Sequence, residues 1–205
     1  MEYYNSLFGP YPFGEYGMVI VEPDIPPCNR AAGGATETQT LSLFCPKAST
    51  LDESSLAHEL AHQWFGNDVS LENWQDIWLK EGMSTYAEWL WINRGQDLDG
   101  LTAFVKEQMA SYHPLTKPAK PPVDDLYQLE DYVGGALTLH ALRLKVGDEI
   151  FFKILRTYLD RYRFGNAGTD EFVANAEEIS GQELSAFFDS WLLETKLPEM
   201  PEPSK

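Results

Sequence analysis

His58 and His62 stand four residues apart in the run His58-Glu59-Leu60-Ala61-His62. Four residues of α-helix return the chain to nearly the same face, so a helix here aims both imidazoles at one point. Glu81 follows with eighteen residues between it and His62, on a second segment of helical periodicity that a helix-turn-helix could bring back beside the first. Trp78, Leu79, Met83 and Tyr86 flank it, and a carboxylate among such neighbours needs a counter-charge. Two neutral imidazoles and one carboxylate are the donor set of a catalytic zinc site, which keeps a fourth position open for water. Glu59 sits about 100° round the helix from His58, where a base can reach that water without competing for the ion.

The rest of the composition narrows the partners. The formal net charge is −17 over 205 residues, which repels phosphate backbones and anionic lipid surfaces, so nucleic acid is not an expected partner. The same field favours cationic groups such as free amino termini, although salt screens it over about 8 to 10 Å. Every apolar run is interrupted well short of the roughly 20 residues that a membrane span needs. Residues 1 to 12 lack the basic start and apolar run of a secretory signal, and read as domain interior or the cut end of a longer chain. Cys28 and Cys45 lack CxxC spacing; they could pair across a strand or remain two buried thiols.

A small β-rich region is predicted first, with strands at Gly17 to Val21 and Thr38 to Phe44 and turns at Pro23 to Pro27 and Gly33-Gly34. From Thr50 the pattern becomes helical. Thr50 and Glu53 have capping-box spacing, and the helix is expected to run to Phe65 and stop at Gly66. Further helices fit Asn73 to Asn93, Leu101 to Tyr112, Tyr132 to Lys145, Asp148 to Tyr162, Thr169 to Ile179 and Glu183 to Leu193. Ser180 is at capping-box distance before the last of these. Trp74, Trp78, Trp89 and Trp91 read as core. The proline-rich stretch from His113 to Pro122 cannot continue a helix and becomes a loop over the surface or the cleft. His113 and His140 have no ligand spacing and read as ordinary polar or core residues. One domain is expected over 1–197, with a disordered tail at 198–205.

HELAHQWFGN, then WLKEG, with FGPYPFGEYG at the start and FFDSWL near the end, resembles the aminopeptidase N family of zinc metallopeptidases (gluzincins) across nearly the whole chain. The resemblance implies an α+β fold, a thermolysin-like zincin catalytic domain. In it a small mixed β-sheet lobe would form the upper wall of a cleft, over a helical lobe, with the His58 helix between. It implies one Zn2+ held by His58, His62 and Glu81, with Glu59 as general base. The family's phenol for the transition-state oxyanion precedes a Gly-Ala pair by three residues, and Tyr132-Val133-Gly134-Gly135-Ala136 matches. Its Gly-x-Met-Glu-Asn segment, whose Glu binds the substrate amine, corresponds to Gly34-Ala35-Thr36-Glu37-Thr38, with threonines replacing Met and Asn. Gly34, Ala35 and Glu37 are therefore the expected substrate-binding residues, and a strand edge there could pair with the peptide backbone. Glu88, two turns beyond Glu81, is a candidate acceptor for a histidine's second nitrogen.

The expected function is aminopeptidase hydrolysis of peptides through a zinc-activated water. Flanking domains are expected in a longer parent protein. A thermolysin-like endopeptidase shares HExxH and the downstream Glu but needs no amine anchor. A non-catalytic scaffold would be expected to have lost ligands or the base, and all of them are present.

Overall fold

A computed structural model describes residues 1–204 apart from 23, 26, 27, 29–33 and 46–51. Three strands form a mixed sheet in the order β1 (Gly17–Ile20), β3 (Leu41–Cys45), β2 (Gly34–Thr36). β1 runs parallel to β3, while β2 runs antiparallel to it with Gly34 opposite Cys45. Gly34 thus opens a strand, whereas a turn was expected at Gly33-Gly34; Gly33 and the prolines of the predicted first turn lie outside the described residues. Cys28 and Cys45 form a disulfide across a Cα separation of 5.3 Å, which decides between the two alternatives the sequence left open. Two cysteines without a motif carry no pairing information; it comes from the fold, which sets Cys28 beside Cys45 at the end of β3.

The helical part begins with α1 (Glu2–Phe8), which periodicity did not single out, and continues with α2 (Glu53–Ala61) and α3 (Trp78–Ile92). The cap of α2 is Asp52, whose side chain accepts from the Ser55 amide at 2.8 Å; the expected cap, Thr50, lies outside the described residues. α2 also ends a turn earlier than predicted. Beyond Ala61 the bonds tighten to Gln63 N–H on Leu60 C=O and Trp64 N–H on Ala61 C=O, then lengthen to Asn67 N–H on His62 C=O. Trp64 and Phe65 still reach the core from this irregular turn, which explains why the apolar period ran on past the helix.

α3 is buried on nearly all sides and packs against α2 and against α5 (Gly135–Val146). A 3-10 turn, Trp74–Asp76, precedes it. Trp74 on that turn is 60% exposed, unlike the other three tryptophans of the segment, so its assignment to the core is corrected. α4 (Leu98–Ser111) is capped by Asp97, and α6 (Asp148–Tyr162) and α7 (Thr169–Ser180) close the lobe. α8 (Ser185–Leu192) starts after a loop held by Glu177, which accepts from the amides of Leu184 and Ser185 at 2.7 and 2.8 Å. That carboxylate does the work expected of the Ser180 capping box. β4 (Val69–Leu71) and β5 (Gly165–Ala167) add a short parallel pair that no local signal predicted. Residues 193–204 carry no helix or strand, yet Met200 packs on the core and the Ser204 amide donates to Leu144 C=O at 2.8 Å.

The crossing of α3 and α5 is glycine on glycine. A Cβ at Gly82 would meet the Gly135 Cα at 2.7 Å and its carbonyl carbon at 2.9 Å. Gly82 directly follows Glu81, and Gly135 directly follows a π-helical turn, Glu130–Gly134, that carries Tyr132. The close approach therefore sets how near Tyr132 comes to Glu81. Gly82→Ala should separate the two helices and destabilise the fold by about 1–3 kcal/mol, lowering Tm by on the order of 5 °C. A calorimetric melt superimposable on that of the wild type would refute this account of the crossing.

Candidate metal centre and cleft

α2 and α3 bring three donor atoms together. His58 Nε2 lies 3.1 Å from His62 Nε2, and each is 3.3 Å from Glu81 Oε2. An ion bound tetrahedrally at zinc–ligand lengths spaces its donors about 3.3 to 3.4 Å apart, so the triangle already has the dimensions of a metal site. His62 is 1% and Glu81 3% exposed. A buried carboxylate this close to two ring nitrogens demands positive charge. Burial works against a charged His58, yet Glu81 and Glu88 outweigh it and raise its pKa to about 9. Burial likewise opposes the charge on Glu81, but His62, His58 and Lys80 hold it well below the usual carboxylate range. A proton or a cation can satisfy such a pocket, and the donor set suits a divalent ion.

The outer nitrogens are fixed as ligation requires. His62 Nδ1 is 3.1 Å from the Phe65 carbonyl and 2.9 Å from Ser84 Oγ. A carbonyl only accepts, so the proton sits on Nδ1 and the Nε2 lone pair faces the triangle. His58 Nδ1 is 3.4 Å from Glu88 Oε2, the partner that helical spacing had suggested. Glu59 lies beside the triangle at 7% exposure, with its Oε2 buried and lacking a hydrogen-bond partner among the described residues. Burial raises its pKa against the pull of His62 and His58. An orphaned basic oxygen next to three metal-spaced donors fits an ion that brings water with it.

All the predicted site residues line one cleft of about 730 Å³, between the sheet edge and the helices. Gly34 and Ala35 are on the edge strand β2, and Glu37 follows it. The Tyr132 ring stacks on His58, with centroids 5.9 Å apart and planes 21° apart. Burial, reinforced by Glu81, raises its hydroxyl pKa far above the ordinary value, so it remains a proton donor. His140 is elsewhere, buried between Tyr86 Oη and Thr102 Oγ1 at 3.1 Å each, and burial lowers its pKa to about 3.

Sequence reasoning missed the residues that fix Glu37. Asn67 Nδ2 donates to the Glu37 carbonyl at 2.8 Å; Gln63 accepts from the Thr40 amide at 2.8 Å and donates to the Thr38 carbonyl at 3.3 Å. These two side chains explain why the motif extends beyond the second histidine to Gln63 and Asn67. Lys80 was also missed: its ammonium pairs with Glu37 and lies 3.2 Å from Glu81 Oε1. The available signal was its place next to Glu81 in WLKEG.

The peptidase family M1 domain profile matches residues 1–191. The chain is 31% identical to aminopeptidase M1-C of Oryza sativa subsp. japonica over 97% of its length, and 31% identical to human endoplasmic reticulum aminopeptidase 2 over 83%. It spans only 24% and 20% of those proteins. A crystal structure of an M1 zinc metallopeptidase from Deinococcus radiodurans superimposes with a TM-score of 0.82 at 34% identity, covering 98% of this chain and 44% of that one. A mutant of that enzyme, bound to a Tyr-Ser-Ala substrate, matches equally well.

Because second-sphere carboxylates orient ligating imidazoles, Glu88→Gln should weaken metal binding by about 10- to 100-fold. Competition with a chelating dye measures this, and an unchanged dissociation constant would remove Glu88 from that role.

Proposed function

Because the chain belongs to peptidase family M1, we propose that it forms the catalytic part of a zinc-dependent aminopeptidase that removes the first residue of peptides. Residues 1–197 would be one thermolysin-like catalytic domain within a longer parent protein, with Met200 and Ser204 of the segment that follows held against it. The observation that carries this reading is the His58, His62 and Glu81 triangle, with Glu59 beside it and Glu37 on the wall of the same cleft.

His58, His62 and Glu81 would hold the zinc, which when bound polarises water and a carbonyl and so supplies a nucleophile at neutral pH. Glu59 takes the proton from the attacking water and returns it to the leaving amine; its unpartnered oxygen and raised pKa suit a group that must both accept and give up a proton. Tyr132 donates to the carbonyl oxygen as negative charge builds there, and its raised pKa keeps the donating proton in place. Glu37 pairs with the α-ammonium and so counts from the chain end, while the outer edge of β2, with Gly34 and Ala35, offers backbone groups to the peptide. The peptide named with the Deinococcus radiodurans structure is consistent with such a substrate.

Aminoacyl-arylamides should be hydrolysed and N-blocked, internally quenched peptides left intact; the opposite pattern would mark an endopeptidase. Glu59→Gln should retain zinc while kcat falls by roughly 10² to 10⁴, and retention of a third of the wild-type activity would exclude Glu59 as the base. Tyr132→Phe should lower kcat by about 10² to 10³ with unchanged zinc content, an assignment that normal kinetics in the variant would refute.

A further inference from the structure

Lys80 places a buried cation between two carboxylates with different duties. Its ammonium pairs with Glu37, lies 3.2 Å from Glu81 Oε1 and sits 5.2 Å from the centre of the Tyr127 ring. Its stem reaches this point across Gly66, where a Cβ would meet the Lys80 Cγ at 3.0 Å and where φ is +120°. Gly66 is therefore required both by the backbone turn and by the passage of the lysine. The lysine in turn is nine-tenths buried and has little room to leave.

Glu37 needs such a partner. One of its oxygens lies within 4.8 Å of a Glu59 oxygen and of a His62 ring nitrogen, so this carboxylate is itself within reach of the metal centre. A zinc site with three protein ligands accepts a carboxylate as a fourth, and the position then closes to water. The Glu37 backbone is held by Asn67, but that bond leaves the side-chain torsions free. Among the described residues, the ion pair with Lys80 is what fixes the carboxylate.

We propose that Lys80 is a positioning residue that tethers Glu37 on the amine-binding side of the cleft and so prevents it from becoming a fourth protein ligand of the metal. This rests on the assignment of His58, His62 and Glu81 as the three ligands. Through Glu81 Oε1 the same ammonium occupies the carboxylate oxygen that faces away from the triangle, leaving Oε2 directed at the two imidazoles.

The test loads the full chain with Co2+ and records its visible absorption, its release to a chelator and the kinetics on aminoacyl-arylamides. Lys80→Met should change the cobalt spectrum, slow release as a fourth protein ligand joins the ion, lower kcat and raise KM. Adding Glu37→Gln to it should restore the wild-type spectrum and release rate while KM stays high. Lys80→Arg should retain the wild-type spectrum, and Lys80→Gln serves in place of Lys80→Met if the latter does not fold. A spectrum and release rate unchanged on loss of the lysine would overturn the tether, as would a changed spectrum that survives in the double variant. A wild-type chain that binds no metal would instead overturn the three-ligand assignment itself.

Discussion

Burying Glu81 in a mostly apolar helix is the constraint that the rest of the site answers. An isolated carboxylate in such surroundings would lose several kcal/mol of hydration and would take up a proton rather than stay charged. α3 is buried along nearly its whole length, so water cannot compensate. Compensation comes from three side chains: His58 on α2, His62 at its C-terminal cap, and Lys80 from the neighbouring position on α3 itself. The imidazoles share one carboxylate oxygen and the ammonium takes the other. This division leaves a gap of metal dimensions on one side and a filled ion pair on the other.

The helices that carry these groups are located by contacts with no chemistry of their own. Gly82 and Gly135 let α3 and α5 touch backbone to backbone, which draws the π-helical turn and Tyr132 towards His58. Gln63 and Asn67, from the irregular turn after α2, hold the segment from Glu37 to Thr40 by its backbone. That turn abandons regular helical bonding, and its side chains thereby face the sheet instead of continuing round the helix. The sheet edge and the metal triangle are thus registered through one short stretch of chain, so a shift in either would be felt by the other.

What the sequence made legible follows from the range of each signal. His58, His62 and the extents of α6 and α7 rest on local spacing and local end signals, and such features survive folding unchanged. Glu81 needed only the further step of returning one helix to another. Glu37 and Tyr132 were legible through family resemblance, since an exposed strand-edge glutamate and a core tyrosine look ordinary by themselves. The three-residue strands β4 and β5 are joined by contacts some ninety-six positions apart and carry no local period. The pairing of Cys28 with Cys45, the reach of Lys80 over Gly66 and the grip of Gln63 on Thr38 and Thr40 are likewise tertiary facts. Trp74 misled because its residue type suits a core while its position on a 3-10 turn leaves it outside.

Charge balance in the cleft joins the metal assignment to the proposed exopeptidase reading. Glu37, Glu59, Glu81 and Glu88 all face the same cleft, and among the described residues Lys80 is the cation brought to them. With all four ionised, those side chains leave three negative charges against two neutral imidazoles. A divalent ion removes two of them, and the one that remains matches a single free α-ammonium. An internal peptide segment brings no such charge, so it would leave a desolvated carboxylate unpaired when it filled the cleft. The acidic excess that repels nucleic acid at the level of the whole chain becomes, inside this cleft, a charge that one divalent ion and one amino terminus would balance.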